Sequence, residues 1–151
     1  MSIDNKRIAM WSGPRNISTA LMRSFGNRPD TVVLDEPFYA HYLYTTGINH
    51  PGKDEILATQ KTNLKEIVDN ITGSVPDNKF IWYQKHMAQH ILPGDDLSWA
   101  KKMTNCFLIR KPKEVIASYN NIFTIDNELL LGFKQQAEIF KYILKNTGEV
   151  P

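Results

Sequence analysis

At 151 residues, with 42% hydrophobic and 11% aromatic side chains, the chain is long enough to bury one real core and too short for two comfortable domains, so residues 1–151 are read as a single domain. Lys and Arg number 18 against 16 for Asp and Glu, and the resulting formal net charge of +2 is too small for binding nucleic acid through bulk charge. The lone cysteine, Cys106, excludes an internal disulfide and a cysteine cluster, and no run approaches the ~20 apolar residues of a membrane span.

The N-terminal "MSIDNKRIAM" carries charges where a signal peptide needs an apolar core, so a cytoplasmic chain is expected. "RIAMWS" predicts a first strand over 7–11, and "ISTALMRSFG" a helix with Ile17, Leu21 and Phe25 on one stripe and Gly26 as its stop. A second strand follows over 31–35, ended by Pro37. "FYAHYLYTTGINHPGKDE" is aromatic without a clean period, whereas "TNLKEIVDNITG" places Leu64, Ile67, Val68 and Ile71 on one helical face. Strands are expected over 79–84 and over 105–109, where Cys106 reads as a small buried hydrophobe. "KPKEVIASYNN" opens a helix with Pro112 in its first turn, and the final stretch predicts one long helix with Leu129, Phe133, Ala137, Phe140 and Ile143 as its apolar stripe.

Short apolar strands separated by helices predict an α/β fold, a mainly parallel sheet with helices on both faces. Ligands of such sheets collect at the carboxyl ends of the strands. Those ends carry the polar loop Ser12–Asn16, then Asp35 and Glu36, then Lys85 and His86, then Arg110. The basic run "KKMTNCFLIRKPK" contains no acidic residue but is split by its apolar centre, which favours a local anion site over a global one.

Counted from Gly13, the ATP-binding signature G-x-x-x-x-G-K-[ST] would put glycine and lysine where Ser18 and Thr19 stand. Without that lysine, and without a clear acidic strand to hold magnesium, kinase chemistry is disfavoured. A single phosphate held by backbone N–H groups, hydroxyls and an arginine remains compatible with the loop, and so does an ordinary strand-to-helix turn capped by Ser or Asn.

Three segments together resemble the sulfotransferase family. "PRNIST" (14–19) looks like its 5′-phosphosulfate loop. "FLIRKPKEVIASY" resembles its 3′-phosphate segment through Arg110, Pro112 and Ser118, and "KHMAQHILP" resembles its third-strand segment through His86, Leu92 and Pro93. The likeness is nearest to a bacterial branch opening "WSGPRN" and carrying "DEPF" and "WYQKH". It implies a P-loop-like sheet binding 3′-phosphoadenosine 5′-phosphosulfate as co-substrate, without a metal. Arg15, Asn16, Ile17, Ser18 and Thr19 would hold the 5′-phosphate, and Arg110 with Ser118 the 3′-phosphate. Arg15 would also offset charge growing on the leaving group.

By the same resemblance His86 is the general base, with Glu36, just after the second strand, as its rival. His90 lies four residues after His86, but no third ligand is evident nearby, so a metal pair is not favoured. Carboxylate-to-Arg15 pairing is the structural alternative for Asp35 and Glu36. Arg15 stands where lysine is usual in the family, Ile17 where a glycine is usual, and Ala20 where cytosolic members have a tryptophan. The family also has a later strand and basic segment, so the chain is expected to be the N-terminal portion of a longer family domain. The expected partner is a small-molecule or glycan acceptor, with no nucleic acid and no membrane, and a homo-oligomer is left open. A non-catalytic nucleotide- or anion-binding module is the competing class, with a small-molecule kinase behind it.

Overall fold

The four expected strands form and all run parallel in a computed structural model that describes residues 5–151. They are β1 (Lys6–Ser12), β2 (Thr31–Asp35), β3 (Ile81–Met87) and β4 (Thr104–Leu108), in the spatial order β2-β3-β1-β4. Parallel pairing brings every carboxyl end to one edge. Helices α1 (Ser18–Gly26), α2 (Tyr39–Thr46), α3 (Lys53–Thr59), α4 (Leu64–Ile71), α5 (Pro112–Asn120) and α6 (Phe133–Thr147) fill the connections.

Register explains the two layers. Trp11 pairs with His86 and Phe107, and Ala9 with Gln84 and Asn105, so these residues share one face of the sheet. On that face Ala9, Trp11, Phe38, Trp99, Ile67 and Ile71 of α4, and Ile139 and Ile143 of α6, form the buried core. On the other face Phe25 of α1 stacks on Tyr83, ring centroids 4.4 Å apart, and Val33 lies beside Tyr83 in register. The α4 stripe is as expected: Ile67 and Ile71 are buried, with Leu64 and Val68 packed against the same core.

Four points of the sequence pattern need correction or completion. The stretch 38–60 forms two helices, α2 and α3. The final long helix is broken, because Gly132 adopts φ 69°, separating a 3₁₀ turn at Glu128–Leu131 from α6. Leu129 is therefore exposed, and Ile139 and Ile143 of α6 are the residues buried in the core. Ile17 does not join the α1 stripe either. It precedes the helix in the left-handed region (φ 60°) and is 72% exposed, leaving Met22 as the buried apolar side chain of α1. Cys106 is only partly buried.

Candidate functional site

The loop between β1 and α1 is shaped by close approach. A Cβ on Gly13 would stand 2.7 Å from the Leu131 carbonyl oxygen, closer than packing permits, so only glycine lets the loop lie against the 128–132 turn. Beyond it Arg15 (φ 62°) and Ile17 (φ 60°) both take the left-handed conformation. That conformation is strained for a β-branched residue, and it is what turns the chain from β1 into α1. The nine-residue α1 has no side-chain cap, so its first-turn N–H groups stay open to a ligand. The alternative of a Ser or Asn cap does not hold.

Arg15, Asn16, Ile17, Ser18, Thr19, Arg110 and Ser118 line one cleft of about 330 Å³. Residues from the end of β1 and from the end of β4 and α5 thus meet. Arg15 Nε donates to Ser118 Oγ at 2.9 Å. Arg110 lies back along α5, its Nε 3.2 Å from Glu114 Oε2, and its Nη1 donates to the Arg15 carbonyl at 2.8 Å. Asn16 Nδ2 donates to the Leu108 carbonyl at 3.3 Å, tying the loop to β4. A guanidinium carries five N–H donors, so both arginines keep donors for an anion after these contacts.

A second cavity, about 520 Å³, opens beside the first. Pro14 and Tyr119 line it, and their chain neighbours Arg15 and Ser118 line the anion cleft. Glu36 stands in its wall at φ 45°. The two carboxylates after β2 do not pair with Arg15. Both hold Lys85, whose Nζ lies 2.8 Å from Asp35 Oδ1 and 2.5 Å from Glu36 Oε1, with its side chain only 4% exposed. Burial works against the Lys85 ammonium, but the Glu36 and Asp35 carboxylates outweigh it and hold its pKa above the ordinary lysine value.

His86 does not face either cavity, contrary to expectation. Strand alternation sends Lys85 to one face and His86 to the other, where it is 1% exposed among Trp11, Phe38 and Trp99. Gln84 Nε2 donates to the Ile71 carbonyl at 2.8 Å, so Gln84 Oε1 faces His86 Nε2 at 3.2 Å and must accept from it. The ring is therefore the Nε2–H tautomer, and its Nδ1 is buried without a partner. Burial pushes its pKa down to about 3, so the imidazole is neutral at physiological pH.

The histidines that do line the second cavity are His50 and the buried His90. Tyr39 and Tyr42 of α2 stack on the His90 ring at 4.9 and 5.0 Å, its Nδ1 has no partner, and burial, aided by the Lys85 charge, lowers its pKa to about 3. The sequence reading missed this cluster. The signal was the Tyr39–Tyr42 spacing, one helical turn, in a stretch taken as aperiodic. Among the described residues no group of three or more His, Cys, Asp or Glu side chains could hold a metal ion, and no helix is long and apolar enough to cross a membrane.

A family model described as "Sulfotransferase domain" matches residues 6–145. The chain is 35% identical over 115 residues to branched-chain-amino-acid aminotransferase-like protein 1 of Arabidopsis thaliana, covering 76% of this chain and 20% of that protein. It is 36% identical over 126 residues to branched-chain-amino-acid aminotransferase-like protein 2 of the same plant, covering 83% of this chain and 22% of that protein. The chain thus spans about a fifth of the length of the curated relatives it matches. No solved structure matches the chain.

Proposed function

The chain belongs to the sulfotransferase domain family, and from that premise we propose that it transfers a sulfuryl group from 3′-phosphoadenosine 5′-phosphosulfate to a hydroxyl or amine of a small acceptor. The observation that carries this reading is the cleft that joins Arg15, Ser18 and Thr19 to Arg110 and Ser118, one residue away from a cavity walled by Glu36. The donor set suits two phosphates. Uncapped N–H groups of α1, the Ser18 and Thr19 hydroxyls and the free Nη groups of Arg15 would hold the 5′-phosphate. The remaining Arg110 donors would take the 3′-phosphate.

In the transfer the S–O bond to the leaving phosphate breaks, a bond from sulfur to the acceptor forms, and the acceptor proton moves to a base. Arg15 would offset the charge growing on the departing phosphate. His86, sealed among aromatic rings, reaches no acceptor, so the base is assigned to the Glu36 carboxylate, which Lys85 fixes at the cavity wall.

The test is ligand-induced stabilisation. Adenosine 3′,5′-bisphosphate at a hundredfold excess over its Kd would stabilise the fold by ~2.7 kcal/mol, raising Tm by roughly 5–10 °C, with no comparable effect of ATP and magnesium. With radiolabelled donor, Glu36→Gln should cut turnover ~10²-fold while leaving that stabilisation in place. A chain that bisphosphate does not stabilise would refute the reading.

A further inference from the structure

The second cavity carries more information than its position. No lysine or arginine lines it, whereas two carboxylates do: Glu36 in its wall and Asp126, an exposed residue at its mouth that makes no ion pair among the described residues. Asp126 and Tyr119 line the cavity together, and the Asp126 charge adds to the burial that raises the Tyr119 pKa. Tyr39, Tyr42, Tyr119 and Phe123 supply aromatic faces, beside apolar Ile48 and Met87 and polar Asn49, Gln89 and His50, the last hydrogen-bonded to the Tyr39 hydroxyl. His90, 4% exposed, contributes an unpartnered Nδ1. A buried polar atom without a partner is rare unless something supplies one.

We infer that this cavity takes an acceptor that carries a positive charge, a compact hydroxylated amine whose ammonium is drawn to Asp126 and whose hydroxyl meets Glu36 and His90. That it is an acceptor rests on the sulfuryl-transfer reading; that it selects a cation does not. The Asp126 carboxylate attracts the ammonium, the faces of the tyrosines and Phe123 favour a cation over them, and the same charge repels an anion of equal shape, whereas Glu36 is already paired with Lys85. The volume of about 520 Å³ accommodates a single-ring compound with a short side chain.

Three ligands of nearly equal shape isolate the charge: tyramine (cationic), 4-ethylphenol (neutral) and 4-hydroxyphenylacetate (anionic). Their binding to the full chain is measured by titration calorimetry without nucleotide. Tyramine should bind at least tenfold more tightly than 4-hydroxyphenylacetate, with 4-ethylphenol between them. Asp126→Asn, at an exposed position that the fold does not need, should narrow the gap between tyramine and 4-ethylphenol severalfold. Failure of tyramine to bind at millimolar concentration, equal or tighter binding of the anion, or an unchanged gap in Asp126→Asn overturns the inference. Bisphosphate stabilisation measured on the same samples separates the two ideas. Its loss with the tyramine preference intact sinks sulfuryl transfer alone, and its presence without that preference sinks cation selection alone.

Discussion

Acidification should unfold this protein earlier than its size suggests, and the cause is histidine. His86 and His90 are buried with pKa values lowered to about 3 from an ordinary 6.5. Both are neutral in the fold, so as pH falls below 6.5 the unfolded chain gains protons that the folded chain does not, and stability declines until the folded values are reached. Between pH 7 and pH 5 the loss is about 2 kcal/mol for each histidine and about 4 kcal/mol for the pair. Set against the roughly 5–15 kcal/mol of a typical domain, that is a large fraction of the whole. Urea titrations at pH 7, 6 and 5, followed by the fluorescence of Trp11 and Trp99, which lie against His86, read this loss directly. Carboxylates contribute to the same slope, so the decisive quantity is the difference between wild type and a non-titrating variant. His86→Asn should lose about 2 kcal/mol less than wild type over this interval, and His90→Asn likewise. Superimposable slopes in wild type and both variants would show that the imidazoles charge without unfolding, and would refute the burial argument.

Ile17→Gly should stabilise the fold, because a 72% exposed side chain loses little burial while a left-handed β-branched residue is relieved; the expected gain is about 0.5–1 kcal/mol, read as a Tm increase of roughly 2 °C. A lower Tm would mean that the isoleucine has a packing role. Gly13→Ala should cost about 1–3 kcal/mol, since its Cβ would meet a backbone oxygen at 2.7 Å, and should weaken bisphosphate binding as the loop shifts; a neutral variant would show that the 128–132 turn yields freely. Lys85→Met leaves Asp35 and Glu36 facing each other, and because both keep some water the cost is about 1–3 kcal/mol rather than that of a fully sealed pair. The Lys85 value is raised in the fold, so its contribution is complete below the ordinary 10.5 and fades as pH climbs through the folded value. The gap between wild type and Lys85→Met should therefore stay flat from neutral pH to about pH 10 and close above it, and a gap closing at lower pH would contradict the pairing.

The strands were legible because each is a short apolar run, but the end of β3 was not. The sequence pattern ends that strand at 84, with Lys85 and His86 just beyond it, whereas the strand runs on through them to Met87. Each of its polar residues is held by a partner far along the chain: Gln84 by the Ile71 carbonyl, Lys85 by Asp35 and Glu36, His86 by the rings of Trp11, Phe38 and Trp99. Such partners leave no local pattern. The convergence of Arg15, Ser18, Thr19 and Arg110 on one cleft was legible for the opposite reason, since these residues follow strand ends and parallel pairing gathers those ends automatically. The second cavity escaped, because α2 and the 3₁₀ turn at Glu128–Leu131 depend on positions such as Gly132 whose φ the sequence does not announce.

The placement of Lys85 and His86 also decides which side chains reach the carboxyl edge of the sheet. Adjacent strand residues face opposite ways, so a motif read as a single unit delivers one side chain to the ligand edge and one to the core. Here the edge receives the lysine. It gathers Glu36, and Glu36, held at φ 45°, stands in the wall of the cavity that opens beside the anion cleft. Three non-glycine residues in the left-handed region, Arg15, Ile17 and Glu36, thus border the two cavities. Each costs on the order of 1–3 kcal/mol that the core must offset. Strain gathered at one edge of the sheet holds donors and carboxylate in place before any ligand arrives, and a site built this way gives up little further entropy on binding.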